Sequence, residues 1–388
     1  MAGLRWRAGG FQTGSVLTRG VIVLLGVLAL ILGPAAAGLG LAAGLGPAAA
    51  FGPAAAAAKP VPYRTAEPRR YAVVDLGGLG GPGGTTARAL NDAGAVVGDS
   101  DTGGTRHAFR WISGTMTDLG ALPGGGRSTA AGINADGVIV GTAYRPTGEP
   151  RAVIWRDGAI ADLGLPRSHG LAINDAGDVL ALSTGPAGVT ERVLWRARRV
   201  TVLGPETDQR AAEGELNNRG TVTLRLRDTP GSPWQAGTQQ AGPQPGGTVY
   251  GYGHPGAATA INNGGTVVGY ARGAHGRIRP FAAVPLGEHA LPSEFGPAPA
   301  AAALDGLATL RDLGTLGGPD GAATAVNDRG VIAGYADTAA GQSRPVLWKD
   351  GRVIDLTTRG VPQAAVVTGL NRSGRMIATV GYRSYLLA

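Results

Sequence analysis

An Asn followed three residues later by a Gly constrains this chain more than any other feature, because the pair recurs at a nearly constant step. The copies are Asn91/Gly94, Asn134/Gly137, Asn174/Gly177, Asn217/Gly220, Asn262/Gly265, Asn327/Gly330 and Asn371/Gly374, with Asn-to-Asn steps of 43, 40, 43, 45, 65 and 44 residues. A fixed period of this size marks a repeat architecture whose units bury their apolar faces on one another. Turn chemistry explains the pair. Asn opens a type I turn through its side chain, and Gly at the fourth position takes the left-handed conformation that closes a bulged hairpin.

Each unit predicts a second hairpin. Trp155-Arg-Asp157-Gly158 and Trp348-Lys-Asp350-Gly351 end a strand in a two-residue Asp-Gly turn, and Ser113-Gly114 does the same after Trp111. Small residues lead into each Asn, then come V-V-G-Y, x-A-V-L-W and x-x-D-L-G. Four antiparallel strands in roughly 40–45 residues is the size of a propeller blade. Small residues in the first strand suit the crowded position beside the axis. The expectation is therefore an all-β chain: a seven-bladed β-propeller of four-stranded antiparallel blades, with a β-solenoid as the competing architecture.

The ends of the repeat region support a ring. Tyr71 to Gly77 supplies a fourth strand with no blade before it, and Arg383 to Ala388 a third strand with none after it. Pairing the two is expected to close the ring between N- and C-terminal strands and remove two exposed sheet edges. An insertion at residues 285–307 accounts for the long step, and Trp234 lies in the least regular unit.

Residues 1–37 have the form of a signal peptide: Arg5, Arg7 and Arg19, an apolar run from Val21 to Leu32, and a small-residue cleavage site at Ala35–Ala37. Export to the cell envelope or exterior is expected, the alternative being an uncleaved membrane anchor within residues 21–50. Residues 38–70 form an Ala/Gly/Pro-rich linker, and 71–388 the propeller. The chain has no Cys, which excludes disulfides and thiolate chemistry. Its net charge of +8 falls to +5 once the three leader arginines are removed, leaving 32 basic and 27 acidic residues. Arg196, Arg198 and Arg199, and Arg225 with Arg227, are expected to be solvated surface rather than a nucleic-acid patch.

His107-Ala108-Phe109, framed by D-L-G strands and N-D-x-G turns, resembles the HAF-repeat family of exported bacterial proteins. The resemblance spans about residues 71–388 and implies secretion. Only the first unit keeps H-A-F, and the family implies no reaction, so no catalytic residue carries over.

Motifs that suggest chemistry have simpler readings. Gly78-Leu-Gly80-Gly-Pro-Gly83 matches a dinucleotide fingerprint in spacing, but it leads into a strand rather than a helix. Gly98 to Gly104 is expected to be a loop exposing Asp99 and Asp101, without the far carboxylate of a calcium loop. His107, His169, His254, His275 and His289 show no ligand spacing, and the blade tryptophans are expected to pack between sheets. No catalytic, cofactor-binding or metal-binding residue is assigned, and no cofactor is expected. The function expected is a monomeric, non-catalytic binding or scaffold module for an unidentified protein or glycan. The alternative is a glycan or ester hydrolase at the channel mouth. A ligand site is expected on the loops joining fourth to first and second to third strands, opposite the tight turns.

Four pairs are expected to clip third strand to fourth. Alternation of side chains, counted back from the Asp-Gly turn, places Asp162 diagonal to Arg151, Asp118 to His107 and Asp355 to Arg344. Across the ring closure it places Asp75 diagonal to Arg383.

Overall fold

Every N-x-x-G motif closes a hairpin in the computed structural model. The Gly N–H donates to the Asn carbonyl, and the Asn N–H donates to the carbonyl four residues on, as in Gly177 to Asn174 and Asn174 to Asp178. The turn glycines have φ of 74° to 89°, the left-handed region that disfavours a side chain. A second glycine is demanded in the strand that follows. A bulge between Ala87 and Ala89 pushes the Thr86 carbonyl into the space a Cβ on Gly98 would take. Gly141, Gly269 and Gly334 face the same obstruction, which explains the V-x-G signature of the second strands.

The structure describes residues 70–206, 214–226, 235–240, 248–272, 277–284 and 309–388. They belong to one compact unit, Thr65–Ala388. The expectations for the signal peptide, for the linker up to Arg69, for the insertion at 285–307 and for Trp234 lie outside the described residues.

Strand β1 (Val73–Asp75) precedes the first full blade, which is β2 (Thr85–Leu90), β3 (Val96–Asp101), β4 (Arg106–Ile112) and β5 (Thr115–Asp118). The second blade is β6 (Ser128–Ile133), β7 (Ile139–Tyr144), β8 (Pro150–Arg156) and β9 (Ala159–Asp162). The third is β10 (Ser168–Ile173), β11 (Val179–Thr184), β12 (Thr190–Arg196) and β13 (Arg199–Pro205). The fourth holds β14 (Thr221–Leu226), β15 (Gln235–Gln240), β16 (Thr248–Ile261), β17 (Val267–Arg272), β18 (Ile278–Val284) and β19 (Thr309–Asp312). The fifth is β20 (Gly317–Val326), β21 (Ile332–Thr338), β22 (Ser343–Lys349) and β23 (Arg352–Asp355), followed by a 3₁₀ turn at Leu356–Arg359. The sixth is β24 (Val366–Leu370), β25 (Met376–Val380), β26 (Arg383–Leu387) and β1.

The expectation of seven four-stranded blades is thereby corrected. The described residues form six blades, five with four strands and one with six. The cause is β16, a single strand of 14 residues. It pairs with β15 between Thr248 and Pro255 and with β17 from Gly256 to Ile261, so two repeat units share one continuous sheet. No D-L-G turn interrupts the backbone there. The large blade carries two N-x-x-G turns, at Asn217 and Asn262, and the other five carry one each.

Strand β1 joins the last strand of the chain, with Val73 opposite Leu387, Val74 opposite Leu386 and Asp75 opposite Tyr385. Ala72 and Ala388 exchange backbone hydrogen bonds beyond this ladder. Tyr71 and Leu76, on either side of β1, are buried in two different apolar clusters. The core lies between blades: Ala95, Val97 and Ala108 of the first pack on Ile133, Ile139, Val153 and Trp155 of the second. Trp155 and Trp348 are each 2% exposed, and their indole N–H groups donate to Leu119 and Gly314 of the preceding blade. Among the described residues no helix is long and apolar enough to cross a membrane.

Candidate functional site

The segment leading into each Asn runs beside the axis, a strand in six repeats and, before Asn217, the bridged Leu216, so seven equivalent ends meet there. Three layers of side chains result. The residue before each Asn supplies an apolar floor: Leu90, Ile133, Ile173, Leu216, Ile261, Val326 and Leu370 all line the same axial cavity.

The asparagines form the second layer. Each is at most 8% exposed. Each Oδ1 accepts a backbone N–H four residues on, as from Val138 to Asn134 at 2.9 Å. Each Nδ2 donates to the backbone carbonyl of the next Asn around the ring. The last bond, Asn371 to Asn91 at 3.1 Å, closes the circle. Each amide thus holds its own turn with one end and its neighbour with the other.

The residue after each Asn builds the rim: Asp92, Ala135, Asp175, Asn218, Asn263, Asp328 and Arg372. In five of the seven its backbone N–H donates to the side chain of the next rim residue, as from Ala135 to Asp175 at 2.9 Å and from Arg372 to Asp92 at 2.7 Å; the other two face Ala135 and Arg372, whose side chains cannot accept. Asn218 also donates to Asp175, and Asn263 and Arg372 to Asp328. Burial acts to raise the Asp328 carboxyl. The Asn263 N–H and the Arg372 guanidinium outweigh it and hold the group below its ordinary pKa. The Asp328 hydrogen bond in turn raises Arg372. The rim is therefore charged, with three carboxylates and one guanidinium. Together the layers enclose a cup of about 210 Å³.

The cup opens on the N-x-x-G face. The longer loops on which a ligand site is expected lie opposite it. At the N-x-x-G turns equivalent residues from every repeat converge on the axis. The N-[D/N]-x-G pattern held the signal, because its second position is the rim.

The structure brings each of the four diagonal pairs together. His107 Nδ1 lies 2.8 Å from Asp118, Arg151 Nε 2.9 Å from Asp162, Arg344 Nη1 2.7 Å from Asp355, and Arg383 Nη1 3.0 Å from Asp75. Arg279 and Asp312 make a fifth such contact at 2.9 Å. In each, the second carboxylate oxygen accepts the N–H two residues on, as from Gly164 to Asp162. The Asp of D-L-G thus closes its own turn and anchors a cation on the third strand. Burial raises Asp162, but the Gly164 N–H, Arg151 and Arg145 outweigh it and leave its pKa low. The third blade has Glu191 at the cation position, and one residue on a buried Arg192–Glu206 pair takes over. Sequence reasoning missed that pair because a register shift between Arg192 and Val193 breaks the count.

The loop from Gly98 to Gly104 does not expose Asp99. That residue is 3% exposed and bonds Arg88 and Arg106, while Asp101 accepts from the Gly83 and Gly103 N–H groups. Pairing of β3 with β4 turns Asp99 inward. Among the described residues no three His, Asp or Glu side chains group closely enough to hold a metal ion.

No family model matches the chain, and no curated protein matches it. Solved structures do resemble it. A puromycin-hydrolysing peptidase of Mycobacterium tuberculosis superposes with a TM-score of 0.50 at 12% identity, over 80% of this chain and 53% of that one. The β-propeller domain of the Trilobed protease from Pyrococcus furiosus gives 0.49 at 10% identity, over 78% and 95%. TolB from Acinetobacter baumannii gives 0.37 at 16% identity, over 51% of each chain. This chain therefore spans about half the length of the first and third of these relatives. At such identities the likeness shows the propeller fold alone.

Proposed function

We propose that this chain is an exported binding module of the cell envelope or exterior, of the HAF-repeat kind, that does no chemistry of its own and takes its ligand in the axial cup. The observation that carries the reading is convergence. Seven repeats present side chains to one concave point, held by a closed ring of amide hydrogen bonds, and rigid concave sites with a few placed polar groups are where ligands bind. The lining consists of carboxylates, amides, one guanidinium and aliphatic groups. A hydrolase at this mouth would need a nucleophile beside a base, or paired free carboxyls. Here Asp92, Asp175 and Asp328 stand on separate repeats, and each is bonded within the rim. Export rests on the leader-like start of the chain.

The test is binding of the protein secreted from its full-length gene to glycan and peptide arrays, beside Ala135→Trp, whose indole fills the cup from an exposed rim position. A ligand held by the parent and lost by the variant, at equal melting temperature, supports the reading. Binding that survives the substitution, or turnover of the bound compound, overturns it.

A further inference from the structure

The lining of the cup narrows the chemistry of what it holds. Outside the leader the chain carries an excess of basic residues, 32 to 27, yet the cup reverses the sign with three Asp and one Arg. Arg219, Arg329 and Arg375 belong to the same turns but do not line it. The rim is also short of donors. A carboxylate offers roughly four acceptor sites. Asp92 uses one of them on the Arg372 backbone N–H and lies 3.7 Å from the Arg372 guanidinium, Asp175 uses two on Ala135 and Asn218, and Asp328 uses three on Asn263 and Arg372. The acceptors left over ask for a ligand rich in N–H donors and positive in charge. An inorganic cation fits poorly, since among the described residues no three carboxylates come within reach of one ion. Beneath the rim the aliphatic floor asks for an apolar stem. The volume of about 210 Å³ is below the roughly 300–1,000 Å³ of drug-sized ligand sites, so one side chain or one small ion fits and an oligosaccharide does not.

Resting on the axial-cup reading above, we infer that the cup selects an organic cation: an ammonium or guanidinium group on a short aliphatic stem. The stem lies against the floor, and the N–H donors meet Asp92 and Asp175 across the rim. The source is a small free amine or guanidine, because a Lys or Arg side chain of a partner would enter tip first and set its charge on the apolar floor.

Titration calorimetry on the secreted full chain tests this with butylammonium and butylguanidinium as free ions. Short alanine peptides bearing one Lys, one Arg or one norleucine, and neutral monosaccharides, complete the series. The free cations are expected to bind and the peptides are not; tighter binding of the Lys or Arg peptide than of the free ions would overturn the inference. Asp92→Asn with Asp175→Asn should weaken cation binding by about tenfold or more, one decade being about 1.4 kcal/mol. The ring tolerates these changes, because Asn218 and Asn263 already fill the equivalent positions. Asp136→Asn, on the same face but outside the cup, should leave binding unchanged. Absence of cation binding, or an unaltered affinity in the double variant, overturns the inference. Monosaccharide binding that Ala135→Trp abolishes would overturn it too while leaving the cup as the site; binding indifferent to Ala135→Trp would overturn both readings.

Discussion

Replacing Asn134 by Ala isolates what one member of the amide ring contributes. The side chain is 4% exposed and makes two bonds, accepting the Val138 N–H at 2.9 Å and donating to the Asn174 carbonyl at 3.2 Å. Both partners belong to residues that are themselves buried, Val138 at 5% and Asn174 at 3%. Alanine leaves the buried Val138 N–H without its partner, which costs about 1–3 kcal/mol. The Asn174 carbonyl loses one of two donors and keeps the Gly177 N–H, so it adds little to that cost. The Asn134→Asp variant keeps the acceptor for Val138 but sets a carboxylate against the Asn174 carbonyl, and it should recover little. The assay is urea unfolding at neutral pH, with the midpoint read at constant slope. A cost below about 0.5 kcal/mol, the range of ordinary surface changes, would refute the reasoning. It would mean that the rim and the inner strands hold the ring without the amides.

Deleting residues 71–77 removes β1 together with buried Tyr71 and Leu76, and exposes the edge of β26; the melting temperature should fall sharply, and an unchanged melt would show that the ring does not depend on its closure. The β12–β13 turn holds Ala197 and Arg198 at φ of 47° and 67°, where the other tight turns place Gly second. Arg198→Gly should therefore raise stability by about 1 kcal/mol in the same urea assay, and a loss of stability would show that the Arg198 side chain makes a compensating contact.

The clips show how magnitude follows exposure rather than motif. The Arg383 and Asp75 side chains are 72% and 40% exposed, so their pair contributes only about 0–1 kcal/mol. Arg151 and Asp162 are 11% and 23% exposed, and there the loss of one partner strands a charge that is mostly out of water. The carboxylates held at low pKa, Asp162, Asp328 and Asp355, stabilise the fold fully above the ordinary carboxyl pKa of 3.8. That contribution is lost as pH falls through their lowered native values.

Much of this was legible before any coordinates, for a local reason. Turn chemistry depends on four adjacent residues, and strand alternation carries a register outward from the turn. Counting from Asp157-Gly158 is therefore enough to set Asp162 opposite Val153 and diagonal to Arg151. The orphan strand at each end likewise marks Val73 to Leu76 as the partner of Tyr385 to Leu387, and the ladder runs from Val73 to Asp75. Where the ladder slips, as at Arg192, the count fails.

The repeat, its hairpins, the third-to-fourth-strand pairs and the phase shift at the ends are written locally, because each follows from neighbours along the chain. That β16 runs unbroken through two units, giving six blades, emerges on folding, since sheet continuity depends on how the backbone between units bends in space. Folding alone sets the cup on the N-x-x-G face. Asn371 and Asn91 lie 280 residues apart and bond only because the ring closes, and no single repeat contains the floor, the amide circle or the acidic rim that all of them together make.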